Sequence, residues 1–459
     1  MRPQARLLAL FPITLVAILT LWSGTFHGAA TGTGAAASQV MILCGALWGI
    51  AGMSDPLRLG QPGRWLVPAL MTVVLTSWWL SPVARAGTIG LILLPAVVLI
   101  PSSTARCWAE EARRGLGSAS LATLTLVVSV IAMARWQTLS LPRASLPLGH
   151  HNLLACWLVL VLPLTASGLI RPGWPRRLAM AGSLSGLLTL VATGSFLGGI
   201  AAVVQLLIAA YWWPRLRLWA SSLASIGILI AAPRLWTILQ TTDTSSLARV
   251  SYLAAGWKAL ISRPVVGWGP GAVPWTVAEF MEPVVGVHPA SEIIGDLHSL
   301  PAQIAYELGG LGLLLSLTLV GVFMLRRWRE CSSRSAAASR KTALLGLIGG
   351  GVFALGAAPL AVPAIPVTAA VIAGASLGNS NPPLWRGRVT IAWAYILFAV
   401  ILLTPLDRAH LLYDQARHAQ SPVESQSILL QAHEIDPAFP LYLARESWLA
   451  ADNYGVDLT

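Results

Sequence analysis

HNLLACWLVLVLPLTASGLI, residues 151–170, is the stretch that decides the fold of this chain. After its first residue it carries no charged side chain, and its length of about 20 residues is what an α-helix needs to cross the hydrocarbon core of a bilayer. Its apolar side chains continue without the alternation expected of a barrel strand. The stretch therefore predicts a transmembrane helix, which satisfies its own backbone hydrogen bonds in lipid.

Similar apolar runs recur along the whole chain. Hydrophobic residues make up 56% of the sequence and charged residues only 10%, against roughly 25% charged in an ordinary soluble domain. This composition excludes a soluble globular fold and predicts an all-α polytopic membrane protein with about 12 to 13 transmembrane helices. The predicted spans are residues 7–22, 37–53, 65–81, 87–101, 118–134, 151–170, 178–193, 197–213, 218–236, 300–325, 342–358, 361–378 and 389–405.

The basic residues predict the orientation of these spans. About 20 of the 30 Lys and Arg residues lie in the connections on the side of the N-terminus, and such connections face the cytoplasm. We therefore predict a multi-pass protein of the inner or plasma membrane, with a cytoplasmic N-terminus and an extracytoplasmic C-terminus. The first run is also compatible with a signal peptide, but its apolar stretch is long for one, and we favour an uncleaved helix.

Two polar regions interrupt or follow the spans. A large loop at about residues 237–299 is predicted to lie outside the cytoplasm, and its tryptophans favour short helices along the membrane surface. We therefore predict a transmembrane domain over residues 1–405 that includes this loop. Residues 406–459 are predicted to form an extracytoplasmic amphipathic helical tail, which resembles the start of a tetratricopeptide-type hairpin.

The charge and the cysteines exclude several other classes. The net charge of +12 is distributed over the connections and forms no basic face with interleaved aromatics, so no nucleic-acid partner is predicted. None of the four cysteines lies in the large loop, so neither a disulfide nor a thiolate metal site is indicated. The loop carboxylates lack a D-x-D spacing, and we predict no metal and no cofactor.

Polar segments converge on the outer face in this topology. They are Gly149-His150-His151-Asn152, Thr193-Gly194-Ser195, the stretch from Arg249 to Lys258, RPVVGWGPG at 263–271, and Asp296-Leu297-His298-Ser299. Polar groups at the boundary of a membrane are expensive unless they are solvated, paired or used in function. These segments are therefore the candidate functional site.

Their order and spacing resemble the O-antigen ligase and O-antigen polymerase superfamily. The resemblance rests on Arg249 ahead of Trp257, on RPVVGWGPG at 263–271, on HSLPAQIAYELGGLG at 298–312, and on the GHHNLL entry to a helix at 149–154. It covers roughly residues 149–325. It implies a GT-C-like membrane glycosyltransferase of polysaccharide biosynthesis. Such an enzyme passes a glycan, with inversion, from a polyprenyl-diphosphate donor to a hydroxyl of a lipid, glycan or protein acceptor outside the cytoplasm.

The resemblance also implies catalytic roles for two residues. His298 matches the position of a base, and a neutral imidazole can accept the acceptor proton. Arg249 matches a diphosphate-binding position, since a guanidinium holds phosphate oxygens in bidentate fashion and keeps its charge. Lys258 and Arg263 are further diphosphate candidates. The alternatives are a helix-capping role for His298 and contact of Arg249 with lipid phosphates.

His151 and Asn152 are substrate-binding candidates at the entry to the sixth span. The alternative is capping, because asparagine is a good N-cap. Asp296 is a candidate to orient His298, although a spacing of two residues would point the side chains to different faces of a regular helix.

One departure from the family pattern concerns the turn before the eighth span. Many members carry an arginine directly after its serine, whereas this chain has Phe196 after Ser195. Arg143 and Arg263 are the outer cations that could substitute for it. The departure keeps open an inactive membrane scaffold. A separate alternative is a transporter or lipid flippase, which would predict charges in mid-span and two related halves, whereas no ionisable residue lies near the middle of a predicted span.

Overall fold

The computed structural model describes residues 3–22 and 61–436. Short gaps within this range fall at 115, 219, 226, 229–235, 237–239, 241–243, 283–293, 334–335, 360–361 and 378–387. The predicted span 37–53 lies outside the described residues, as does much of 218–236.

Every regular element in the described part of the chain is helical, which confirms the all-α class. The helices are α1 (Pro3–Trp22), α2 (Gln61–Trp79), α3 (Thr88–Arg114), α4 (Leu116–Thr138), α5 (His151–Ala166), α6 (Trp174–Ala192), α7 (Phe196–Trp212), α8 (Thr244–Ser262), α9 (Val273–Thr276), α10 (Leu300–Cys331), α11 (Ala338–Leu355), α12 (Ala364–Leu377), α13 (Arg388–Arg417) and α14 (Pro422–Ile435).

Several of these helices suit a membrane. Three helical stretches among the described residues are long and apolar enough to cross a bilayer: Gly117–Thr138, His151–Ile170 and Leu300–Cys331. Shorter apolar helices include Trp65–Trp79 and Phe196–Trp212. The helices therefore support a polytopic membrane protein, while the number of crossings and their sidedness stay predictions.

Helix α5 forms the centre of the bundle. It contacts α4, α6, α7, α11 and α12, and its residues from Leu154 to Val161 are all buried. A helix that is apolar on every side has to be surrounded in this way. Glycine permits the close approach of a neighbour, because a Cβ atom on Gly346 of α11 would lie 2.3 Å from the Leu160 carbonyl oxygen.

The outer helices expose apolar stripes. Leu184, Leu188 and Val191 lie on one exposed side of α6, at spacings that align them along one helix face. Helix α10 likewise exposes Leu314 and Leu317. Large exposed apolar surfaces are typical of sites that contact a membrane or another protein, so these stripes are the sides that would face lipid in the predicted membrane protein.

The C-terminal elements extend beyond the last predicted span. Helix α13 continues past residue 405, the predicted end of that span, as far as Arg417. Helix α14 folds back on it, and the Ser425 hydroxyl donates to the Ala416 carbonyl at 2.8 Å. Ala409 and Ala432 are fully buried between the two helices. The start of the tail is therefore one helical hairpin with the end of α13, and residues 437–459 lie outside the described residues.

Candidate functional site

Helix α8 lies within the predicted outer loop and has two different faces. One face packs Tyr252, Ala255 and Ala259 against a small core that includes Leu297 and Tyr306. The other face exposes an apolar row made of Val250, Leu253, Trp257 and Ile261. A helix with one packed face and one exposed apolar face fits the surface of a membrane.

The RPVVGWGPG and ELGGLG motifs contact each other through their backbones. The Trp268 N–H donates to the Tyr306 carbonyl and the Gly269 N–H to the Glu307 carbonyl, both at 2.9 Å, and the Gly310 N–H donates to the Pro264 carbonyl at 2.7 Å. Because the Trp268 and Gly269 amides donate hydrogen bonds to carbonyl groups of α10, the glycine-rich segment is a turn that packs on this helix. This geometry favours the turn over a phosphate-binding cradle.

Gly309 makes this contact possible. Its backbone, at φ 68° and ψ −174°, interrupts the helical geometry of α10, in a region that is essentially restricted to glycine. A Cβ atom on Gly309 would lie 2.3 Å from the Val265 carbonyl oxygen, and one on Gly267 would lie 2.5 Å from the Gly309 nitrogen. The two motifs thus form one structural unit.

Glu307 and Gln303 brace the same unit, and neither was predicted from the sequence. The Glu307 carboxylate accepts hydrogen bonds from the Gln303 side-chain amide and from the Gly271 N–H. The Gln303 carbonyl oxygen in turn accepts from the Leu297 N–H at 3.0 Å. The glutamate of the ELGGLG motif was the feature of the sequence that could have indicated this role. Through Gln303 it connects the glycine-rich turn to the segment that holds His298.

Asp296 and His298 meet, contrary to the expectation from helical spacing. Residues 294–299 precede α10 and are not helical, and His298 has a φ of +50°. The Asp296 carboxylate accepts from the His298 N–H at 2.6 Å, and its oxygen lies 3.2 Å from His298 Nδ1. A carboxylate in this position fixes the orientation of an imidazole.

Tyr252 packs beside this pair. The centroids of the Tyr252 and His298 rings are 5.4 Å apart. Arg249 lies three residues before Tyr252 on α8, and this spacing places the two positions near one helix face. The spacing therefore predicts that Arg249 lies on the side of α8 that faces His298. Tyr252 itself was not singled out in the sequence.

The start of α5 belongs to the same patch. Arg143 Nη1 lies 3.1 Å from His151 Nε2, and the positive charge of Arg249 also acts on the His151 ring. The N-cap of α5 is His150, whose Nδ1 accepts from the Asn152 N–H at 3.2 Å. Capping is thus carried out by a neighbour of Asn152.

Asn152 instead connects α5 to the turn between α6 and α7. Its side-chain oxygen accepts from the Ser195 hydroxyl at 2.7 Å. The Ser195 hydroxyl also caps α7 by accepting from the Gly198 N–H. Two polar segments that lie more than 40 residues apart in sequence are thereby held together at neighbouring ends of three helices.

Lys258 and Arg263 lie toward the other end of α8. Nine residues separate Lys258 from Arg249, which corresponds to about 13 Å along a helix. Lys258 pairs with Glu282, and this hydrogen bond lowers the pKa of the Glu282 carboxyl. Arg263 stacks on Trp268 at 4.2 Å and donates to the Leu80 carbonyl at 3.3 Å. No contact among the described residues brings either cation to His298.

Comparison with known proteins supports the resemblance drawn from the motifs. Residues 154–317 match the family model described as O-Antigen ligase, a range that includes Arg249, Asp296 and His298. No curated protein matches the chain. The matched range begins in the central helix and ends in α10, so it covers the interlocked motifs and the segment that carries His298, and it begins after Arg143, His151 and Asn152. The match confirms the predicted resemblance and supports placing the chain with an O-antigen ligase/polymerase-like family, whose general activity is glycan transfer at a membrane.

Proposed function

We propose that this protein transfers a glycan from a polyprenyl-diphosphate-linked donor to an acceptor hydroxyl on the extracytoplasmic face of the cell membrane. The observation that carries this proposal is the Asp296–His298 pair, whose imidazole lies beside Tyr252. Tyr252 belongs to helix α8, which also carries Arg249 three residues earlier. A base and a fixed cation in one patch meet the two needs of the reaction. Those needs are removal of the acceptor proton and stabilisation of the departing diphosphate.

His298 acts as the base. The Asp296 carboxylate accepts a hydrogen bond from the Nδ1–H of the imidazole, so the lone pair is on Nε2. The acceptor oxygen forms a bond to the anomeric carbon of the donor while its proton passes to Nε2. A general base in this role accelerates a reaction by about 100- to 10,000-fold.

Arg249 stabilises the leaving group. As the acceptor bond forms, the bond between the anomeric carbon and the diphosphate oxygen breaks, and the electron pair stays on that oxygen. The guanidinium holds the phosphate oxygens in bidentate fashion and cannot lose its proton. At the boundary of a low-dielectric membrane such a contact is stronger than in bulk water.

Replacing Arg249 by alanine should lower kcat/KM by about 10- to 100-fold, the value of one or two hydrogen bonds to a charged group. Arg249→Lys should keep part of the activity, because lysine keeps the charge and loses the bidentate geometry. The measurement is glycan transfer in proteoliposomes from a polyprenyl-diphosphate-linked oligosaccharide to several acceptors. Arg215→Ala, which removes an exposed arginine from the opposite predicted side, is the matched control. Unchanged transfer by Arg249→Ala contradicts its role.

Replacing Asp296 by asparagine should lower kcat by about 10- to 100-fold, because the amide no longer holds the imidazole in the productive tautomer. We expect KM for the donor to change little, which separates a positioning role from donor binding. The control is Glu279→Gln, which neutralises an exposed carboxylate in the same loop. A kcat equal to that of the unaltered protein would exclude Asp296 as the group that orients His298.

The unaltered protein tests the proposal as a whole. Transfer with at least one donor and acceptor pair supports it. Absence of turnover with every pair, together with movement of the lipid-linked sugar across the same vesicles, overturns it in favour of a transporter or flippase. Absence of both turnover and movement overturns it in favour of an inactive scaffold.

A further inference from the structure

Arg143 lies against the turn between α6 and α7. It belongs to the segment between α4 and α5, which is tied to the end of α6 because the Ala144 N–H donates to the Ala192 carbonyl at 3.1 Å. The Cδ and Nε atoms of Arg143 are 3.6 Å from the position that a Cβ atom on Gly194 would occupy. A side chain from a distant segment therefore brings an exposed guanidinium to this turn.

Arg143 contacts the ring of His151. Its Nη1 lies 3.1 Å from His151 Nε2. Because a guanidinium can only donate, this contact requires Nε2 to accept. The charge of Arg249 acts on the same ring from α8.

The Arg143 guanidinium lies at the start of α5, where the helix dipole adds further positive potential. The charge of Arg249 acts on the same first residue of the helix, and two like charges near one ring favour binding of an anion. His150 and Arg143 are exposed and His151 is half-buried, so the patch is open to a ligand. The arrangement fits a ligand with several negative charges on adjacent groups.

We propose that Arg143 is a second cation that binds the diphosphate of the lipid-linked donor, beside His151 and together with Arg249. This inference rests on the proposed function. Each guanidinium can hold the oxygens of one phosphate group. Arg263, the other substitute considered in the sequence, is engaged with Trp268 and the Leu80 carbonyl at the far end of α8. The cation that this chain lacks after Ser195 is therefore supplied from the segment before α5.

Binding, measured apart from transfer, tests this role. The probe is a radiolabelled polyprenyl diphosphate without sugar, titrated against the full-length protein in nanodiscs, with the corresponding polyprenyl monophosphate as a second probe. We expect Arg143→Ala and Arg249→Ala each to weaken diphosphate binding by about 10-fold or more. Both variants should also reduce the preference for diphosphate over monophosphate. Arg135→Ala, which removes an exposed arginine near the end of α4, should bind as the unaltered protein does.

Two further variants keep the test independent of folding. Arg143→Lys retains the charge and should keep part of the affinity. The double variant Arg143→Ala/Phe196→Arg moves the cation onto the turn itself and should recover most of the lost affinity. In the double variant Arg143→Ala/Arg249→Ala, the loss of binding free energy should differ from the sum of the two single losses, because both residues contact one ligand.

The outcomes separate this inference from the proposed function. Diphosphate binding by Arg143→Ala that equals the unaltered protein overturns the role of Arg143, whether or not Arg249→Ala binds weakly. Weakened binding by Arg143→Ala without recovery in any charge-restoring variant also overturns it, because the loss is then structural. Binding that depends on both arginines in a protein that transfers no glycan would support the anion site and refute the transferase.

Discussion

Replacement of His298 by alanine is expected to lower the rate of glycan transfer by about 100- to 10,000-fold, which is the usual contribution of a general base. The expectation rests on the position of the ring. Its Nδ1 faces the Asp296 carboxylate at 3.2 Å, and its face lies near Tyr252 on the helix that carries Arg249. Loss of the ring therefore removes the acceptor of the proton.

The backbone of His298 complicates the alanine variant, and a second substitution resolves this. A φ of +50° is unfavourable for most side chains and costs about 1–3 kcal/mol, so alanine also changes local stability. Asparagine tolerates positive φ better than most residues and cannot act as a base. His298→Asn should therefore retain the thermal stability of the unaltered protein and lose transfer to the same extent.

The control for both variants is His418→Ala, which removes an exposed histidine of the C-terminal hairpin. It should transfer glycan at the unaltered rate. Stable His298→Asn protein that keeps more than about a tenth of the transfer rate would be incompatible with general-base catalysis by His298. Donor binding by His298→Asn should stay intact, since the diphosphate is assigned to the arginines.

The strongest sequence predictions concern long apolar helices. The predicted span 151–170 corresponds to α5 and the following 3₁₀ turn, Ser167–Ile170, because an uninterrupted apolar run has only one stable solution in a membrane. The predicted span 300–325 begins at the first residue of α10, and the helix ends six residues later than predicted, at Cys331. The last turns of this helix are polar and carry arginines, so hydropathy alone places the end of the helix too early.

The site was less predictable, because it depends on conformations outside regular helices. The spacing of Asp296 and His298 separates two side chains only on a helix, and these residues lie in a non-helical segment. The position of Arg143 at the Gly194 turn depends on how two distant connections pack. The sequence could suggest Arg143 and Arg263 as equal candidates, whereas only the packed chain distinguishes them.

The contact between the two glycine motifs gives the prediction with the largest effect on the fold. Gly309→Ala should destabilise the protein by on the order of 3 kcal/mol or more. Two causes add. Alanine at φ 68° and ψ −174° occupies a region that suits only glycine, and its Cβ atom would lie 2.3 Å from the Val265 carbonyl oxygen. The three nearest atoms are backbone atoms of Val265 and Val266, so no flexible side chain can move away to relieve the clash.

Helix α10 itself provides the matched control for this variant. A Cβ atom on Gly321, in the same helix, would meet no heavy atom within 4 Å, and alanine in a helix interior is favoured over glycine by about 0.5–1 kcal/mol. Thermal unfolding in detergent should therefore show a lower Tm for Gly309→Ala and an equal or higher Tm for Gly321→Ala. Gly309→Ala should also lose transfer, because the same turn is joined through Glu307 and Gln303 to the segment that carries His298. A Tm and a transfer rate equal to those of the unaltered protein would mean that the glycine-rich turn and α10 are not held together as the structure has them.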